Sequence, residues 1–218
     1  MLSSASHGAF PASDPGFAAC NKRNPGSGCA AIHGENRLLG VFGSSSHCIA
    51  THPSDLPVVL AALNATIKLQ GPGGTQRTVE IDDFYLLPGD TPQTATVLPP
   101  GELIVAIAEP ASAAAQRSHY LKLRDRASFE FALVSCAVAL DARDGAVRDI
   151  RLALGGVAQK PWRLPRVEAS LQDGPASNDA FAAAAARVGD GAEPASQNAF
   201  KVKLAQRAVL RALQTVAA

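Results

Sequence analysis

An α+β fold, with strands gathered in the first two thirds of the chain and helices in the last, is predicted by three features of this 218-residue sequence. Apolar residues alternate with period two in short runs between Ala65 and Leu154. Helical spacing takes over after Asn178. Strands and helices do not alternate in the strict order that a doubly wound parallel sheet requires.

The elements follow in order. Met1 to Arg37 is rich in Gly, Pro, Ser, Asn and Ala, has no hydrophobic period and carries Cys20 and Cys29, so residues 1–37 read as a cysteine-containing loop segment. Regular structure is expected from Leu38, where Leu38 to Gly43 is a short apolar run closed by Ser44, Ser45 and Ser46. Thr51 to Pro57 predicts a helix start: Ser54 as N-cap, Asp55 as first-turn charge, and Pro57 where its missing N–H does no harm. Leu56, Leu60 and Leu63 then define a buried stripe. From Ala65, Ile67 and Leu69 alternate with Lys68 and Gln70. Gly71 to Gly74 turns the chain, and Val79 and Ile81 alternate on the return, which predicts a hairpin. Leu103 to Ala108 is a β run apolar on both faces.

A composition break at residues 110 to 118 sets a lobe boundary, giving segments 1–37, 38–114 and 115–218. In the last segment Tyr120 to Leu123, Phe131 to Leu140 and the run through Ile150, Leu152 and Leu154 predict a three-stranded antiparallel sheet. Asp144-Gly145 is its hairpin dipeptide. C-terminal helices are predicted over Asn178 to Val188 and from Asn198, the latter with a stripe of Val202, Ala205, Val209, Leu213 and Val216.

Charge and hydropathy exclude several functions. Twenty Lys and Arg against nineteen Asp and Glu leave no basic excess for nucleic acid or anionic lipid. No apolar run reaches the ~20 residues of a membrane helix, and Leu2 to His7 lacks the charged and apolar regions of a signal peptide. Dinucleotide, P-loop and G-x-S-x-G signatures are absent, and Gly71 to Gly74 is a turn between strands. His52, Ser54 and Asp55 are too close in sequence to form a triad assembled from separate segments.

Five groups of residues are left as candidates. Cys20 and Cys29 flank a Gly/Pro/Asn loop that suits a metal or cluster, or equally two inert thiols or a disulfide. Their spacing does not match zinc ribbons. Cys48, after the serine turn, is a third ligand or a site-lining residue, while Cys136 reads as a small buried hydrophobe. Ser54 and Asp55 are a helix cap or a site for a phosphate or a polar ring edge. Lys122 interrupts an apolar strand, Arg124 and Arg126 are expected to pair with Asp125 and Glu130, and Trp162 is a packing anchor.

Several strings together resemble the FAD-binding (medium) subunit of the molybdenum hydroxylases, the xanthine dehydrogenase, carbon monoxide dehydrogenase and aldehyde oxidoreductase family. They are Ala50-Thr51-His52-Pro53-Ser54-Asp55-Leu56, Pro100-Gly101-Glu102-Leu103-Ile104, Tyr120 to Arg126, Leu154-Gly155-Gly156-Val157-Ala158 and Ala199-Phe200-Lys201. Their order and spacing fit from Leu38 to the C-terminus. Asn21 to Gly28, between two cysteines, is similar to a loop of the bacterial aldehyde oxidoreductase branch.

The resemblance implies part of a PCMH-type FAD-binding domain followed by the C-terminal α+β domain of the flavoprotein subunit. It implies FAD contacts at Ser54 and Asp55, the backbone of Ile104 along the ring, Lys122 at the polar edge of the ring and Cys48 beside it. Cys20 and Cys29 would be two ligands of a [4Fe–4S] cluster. The implied partners are a molybdopterin-binding large subunit and a [2Fe–2S] small subunit, with electrons passed from their clusters through FAD to an external acceptor. The family's Gly-rich pyrophosphate lobe has no counterpart here, so an N-terminally truncated subunit with weak flavin affinity is expected. The alternatives are a non-catalytic assembly module that docks on the same partners without flavin, or a zinc-stapled binding domain. Residence in the cytoplasm is expected, or in the periplasm if a signal-bearing partner subunit carries the complex there.

Overall fold

The computed structural model describes residues 19–218; the first eighteen residues of the expected cysteine-containing segment lie outside them. Two antiparallel sheets pack on either side of helix α1 (Leu56–Ala62). The smaller has β1 (Thr66–Gln70) at its centre, between β2 (Gln76–Glu80) and β3 (Leu103–Ala108). Ile67 and Leu69 of β1 point into the core while Lys68 is exposed, as period-two alternation requires. Ile81, expected on the return strand, instead opens the short helix α2 (Ile81–Phe84) and is buried there with Phe84. β3 is an edge strand with every residue exposed, Leu103 by 68% and Ile104, Val105 and Ile107 by nearly half.

The larger sheet runs β4 (Ser118–Leu123), β5 (Val134–Arg143), β6 (Ala146–Gly155), β7 (Trp162–Arg163). β7 is a fourth strand where three were expected. Only two residues long, it has no detectable period, and it is held beside Leu154 because Trp162 stacks on Phe42 with ring centres 5.3 Å apart. β5 starts at Val134 rather than Phe131, because Phe131 belongs to a loop at the sheet's end. Asp144 and Gly145 both adopt positive φ, 52° and 73°, which matches the right-handed twist of the strands they join.

One face of this sheet is covered by α3 (Pro165–Leu171), α4 (Asn178–Ala186) and α5 (Phe200–Ala217). Val138, Leu140, Leu152 and Leu154 meet Phe181, Val209 and Leu213 there, and all are buried. Ser177 caps α4 by accepting the Ala180 N–H through its hydroxyl. The other face carries small residues, Ala137 and Ala153, against α1. A Cβ on Gly155 would come within 2.6 Å of Val58, so the close approach of α1 needs glycine there.

That close approach corrects two expectations about α1. Its buried face is Val58, Ala61 and Ala62, and Leu56 is 59% exposed, because facing two sheets at once favours small side chains over a leucine stripe. Asp55 holds the cap position in place of Ser54, and no side chain caps the helix.

Residues 19–55 contain no strand or helix, only isolated bridges between Cys20 and Cys29 and between Ser45 and Cys48, so regular structure begins at α1 rather than Leu38. Buried side chains hold this stretch in place of a ladder. Asn36 donates to the carbonyls of Ala31 and Gly34, Asn198 to Leu39 and Gly40, and Lys201 to Leu38 and Leu39. Among the described residues no helix is long and apolar enough to cross a membrane.

Candidate functional site

A cleft of about 680 Å³ opens where the approach to α1 meets the ends of β4 and β5, within the usual range for a small-molecule site. His52, Ser54 and Asp55 line it from the α1 side, Lys122 and Ser135 from the sheet, and Leu38, Leu39 and Gly156 form an apolar wall. Period-two geometry explains the sheet side. Tyr120 and Lys122 are two apart on β4 and so share a face, and Lys122 pairs across with Ser135. Both reach Asp55: its carboxylate accepts the Tyr120 hydroxyl at 2.7 Å and the Lys122 ammonium at 2.8 Å.

Burial pushes the Asp55 carboxyl up, but the hydrogen bonds from Lys122 and Tyr120 and the charges of Lys122 and Arg124 outweigh it, holding it below the usual carboxylate value. Burial, and then the neighbouring Asp55, raise the Tyr120 phenol well above its ordinary value. At neutral pH the edge of the cleft therefore carries the Asp55 carboxylate, held by an un-ionised Tyr120 phenol behind it.

His52 adds a polar atom in need of a partner. Its backbone N–H donates to the Ala158 carbonyl and its ring lies 4.7 Å from Tyr85, yet Nε2 is buried without a hydrogen bond. Burial, with help from the Lys22 charge, lowers its pKa to about 4, so the ring is neutral. The ring lines the cleft, but this nitrogen itself is closed off from solvent.

The rim is the loop from Arg126 to Ala132. Phe129 stands 95% exposed at a φ of 52°, held by Arg126 donating to its carbonyl. The expected Arg–acid pairs do not form as such. Asp125 is taken by Arg37 at 2.6 Å, and Glu130 accepts the Arg126 backbone N–H.

A second, small cavity collects Cys20, Cys29 and Cys48 with Lys22. The loop between the first two is prearranged: Cys20 N–H donates to Ser27, Gly28 N–H to the Asn21 side chain, and Asn21 in turn to the His47 carbonyl. All four cysteines are free thiols. Burial raises the Cys48 thiol, which donates to Gln159, and pushes Cys136 up to about 12 in the sheet core. Among the described residues no group of three or more His, Cys, Asp or Glu is arranged to hold a metal ion.

Of the expected site residues, the structure thus brings Ser54, Asp55 and Lys122 into one cleft and Cys20, Cys29 and Cys48 into another cavity. Cys48 does not line the cleft, and Ile104 sits apart on the exposed edge strand β3. Sequence reading missed Tyr120, Ser135 and the wall residues. Tyr120 had a signal, since it shares a strand face with Lys122, but the wall depends on tertiary contacts that no period encodes.

The cleft thus joins apolar residues with hydrogen-bonding ones, as small-molecule sites do. Comparison with known proteins agrees. A family model described as the FAD binding domain in molybdopterin dehydrogenase matches residues 12–112, and one for the CO dehydrogenase flavoprotein C-terminal domain matches residues 118–216. The chain belongs to this family, the medium, FAD-binding subunits of molybdenum hydroxylases. It is 45% identical to PaoB, the FAD-binding subunit of aldehyde oxidoreductase of Escherichia coli, over 89% of this chain and 58% of the relative. It is 34% identical to the glyceraldehyde dehydrogenase medium chain of Sulfolobus acidocaldarius, over 74% of this chain and 54% of that one. The solved carbon monoxide dehydrogenase of Hydrogenophaga pseudoflava that lacks the Mo-pyranopterin moiety superimposes with a TM-score of 0.64 at 30% identity, over 82% of this chain and 58% of that chain. The chain spans somewhat more than half the length of these relatives.

Proposed function

We propose that this protein is the FAD-binding electron-transfer subunit of a molybdopterin-dependent aldehyde- or xanthine-type oxidoreductase. One observation carries the reading: Ser54, Asp55 and Lys122 converge on one cleft in a chain matched along nearly its whole length by flavoprotein families. Bound FAD would supply the redox chemistry, accepting electrons from iron–sulfur clusters of a partner subunit and passing them to an external acceptor.

The chain's own residues bind and orient. Ser54 and the Asp55–Lys122 pair offer acceptors and donors to the polar edge of the ring, and Leu38 and Leu39 give its face an apolar wall. Tyr120 keeps the Asp55 carboxylate oriented. None of these residues acts as general acid, base or nucleophile in this reading.

Cys20 and Cys29 are proposed as two thiolates of a [4Fe–4S] cluster, supported by their pairing across a loop rich in backbone N–H groups. Further ligands would have to come from beyond the described set. The proposed partners are a molybdopterin-binding large subunit and a [2Fe–2S] small subunit.

Titration with FAD tests the reading. Co-purified with the two partner subunits of an aldehyde oxidoreductase, the protein is expected to retain one flavin and to lose it on Lys122→Met. A colourless complex of normal composition would favour an assembly module instead. Iron and sulfide analysis after anaerobic purification tests the cluster, and zinc without sulfide would refute it.

A further inference from the structure

Lys201 is the one lysine buried completely among the described residues, at 0% exposure in the first turn of α5. Its ammonium has three N–H donors, and it meets three carbonyl oxygens: Leu38 at 2.9 Å, Leu39 at 2.9 Å and Gly156 at 2.5 Å. Donors and acceptors match one for one, which tempers the cost of a buried charge. Burial, and then the nearby Arg37 charge, still lower the Lys201 pKa to about 7, so the ammonium is fully charged only below that pH.

Those three carbonyls belong to the three residues that form the apolar wall of the cleft. Lys201 itself does not line the cleft. Three residues that line the cleft therefore give their carbonyls to one buried lysine. Gly156 shows how constrained the arrangement is. It sits at a φ of 72°, and a Cβ there would lie 2.6 Å from the Ala132 carbonyl. Leu38 and Leu39 come from a stretch without helix or strand, so no ladder fixes which way their peptides face; Leu39 also gives its carbonyl to Asn198, which leaves Leu38 and Gly156 the more dependent on Lys201.

We propose that Lys201 is a positioning residue of the cleft: by gathering the carbonyls of Leu38, Leu39 and Gly156 it keeps the wall apolar and adds a buried positive charge behind it. The inference rests on the flavin reading of the cleft. A ring that gains electrons is disfavoured by carbonyl dipoles aimed at it and favoured by a cation behind the wall. Lys201 thus stabilises the reduced ring over the oxidised one. Its role is electrostatic as well as structural.

The test compares wild type, Lys201→Met and Lys201→Arg in the assembled complex, with near-UV circular dichroism as the check of fold. At pH 6, where Lys201 is protonated, Lys201→Met is expected to shift the flavin couple towards the oxidised form by about tenfold in its equilibrium constant, roughly 30 mV for a two-electron couple, and by less at pH 8. Lys201→Arg, which keeps the charge and several donors, is expected to recover most of that shift. Faster amide hydrogen exchange confined to residues 38–42 and 156–158 should accompany it in the flavin-free protein. A native Lys201→Met complex with unchanged potential and exchange would overturn the inference. Wild-type complex without flavin would overturn the flavin reading instead, and exchange alone would then decide the positioning role: local acceleration supports it, none refutes it. If Lys201→Met does not fold, Lys201→Gln takes its place: a lowered potential with faster local exchange supports the inference, and a potential and exchange both equal to wild type overturn it.

Discussion

The two sheets answer the same physical demand in opposite ways. The C-terminal sheet is covered on one face by three helices and on the other by α1, and its core from Val138 to Leu213 is sealed. The N-terminal sheet has one buried face, against α1 and α2, and ends in β3, whose six residues are exposed on both sides. A long antiparallel hairpin under an amphipathic helix closes its own core. A three-stranded sheet with an apolar edge does not, and depends on its neighbours for cover. The largest buried core therefore lies mainly in residues 118–217, while the cleft-lining groups cluster at the junction between the sheets.

The sharpest way to break that comparison is a matched pair of truncations. Leu154→Ala, at 0% exposure in the C-terminal core, should cost about 2–5 kcal/mol in urea unfolding, whereas Leu103→Ala on β3 should change stability by no more than about 0.5 kcal/mol. Equal costs would mean that β3 is covered in solution.

At the junction, His52 should make stability depend on acid. Its folded pKa of about 4 lies below its unfolded value, so the unfolded chain binds the proton first as pH falls. Stability present above pH ~6.5 is lost progressively down to pH ~4, by about 3 kcal/mol at most, and His52→Phe should remove that part of the slope in a pH series of denaturation midpoints.

Asp55→Asn should matter less. The Asp55–Lys122 pair is half open to solvent, so its loss should cost under about 1 kcal/mol in thermal unfolding. The depressed Asp55 carboxyl contributes stability only above its folded pKa and loses it as pH falls through that value. A large loss would move this pair from the site to the scaffold.

Much of the C-terminal sheet was legible in the sequence, because long strands and an eighteen-residue helix repeat their periods often enough to be read. α1 was legible as a helix but not in its facing. Its seven residues make two turns, and three leucines outweighed Val58, Ala61 and Ala62 until Gly155 and Ala153 showed how close the sheet comes. In the site, Asp55 and Lys122 could be singled out, but their pairing across 67 positions of sequence could not. Lys201 carries only a faint mark of its burial in the sequence, its place four residues before Ala205 of the buried stripe. A lysine in the first turn of a basic helix reads as solvated until three carbonyls are found around it.

The exposed strand β3 has a consequence for how the chain behaves among its own copies. Leu103 to Ala108 offers an unpaired backbone edge lined with side chains that gain by leaving water, the usual recipe for sheet-to-sheet stacking. Its flanks work against that outcome. If two copies paired their β3 strands antiparallel about the centre, Glu102 of each would stand opposite Glu109 of the other, and Pro110 would deny the ladder its next donor. Arg77 pins Glu102 in place at 2.8 Å, so that carboxylate cannot simply swing away. The edge is thus open to a strand with neutral or basic ends and guarded against its own kind.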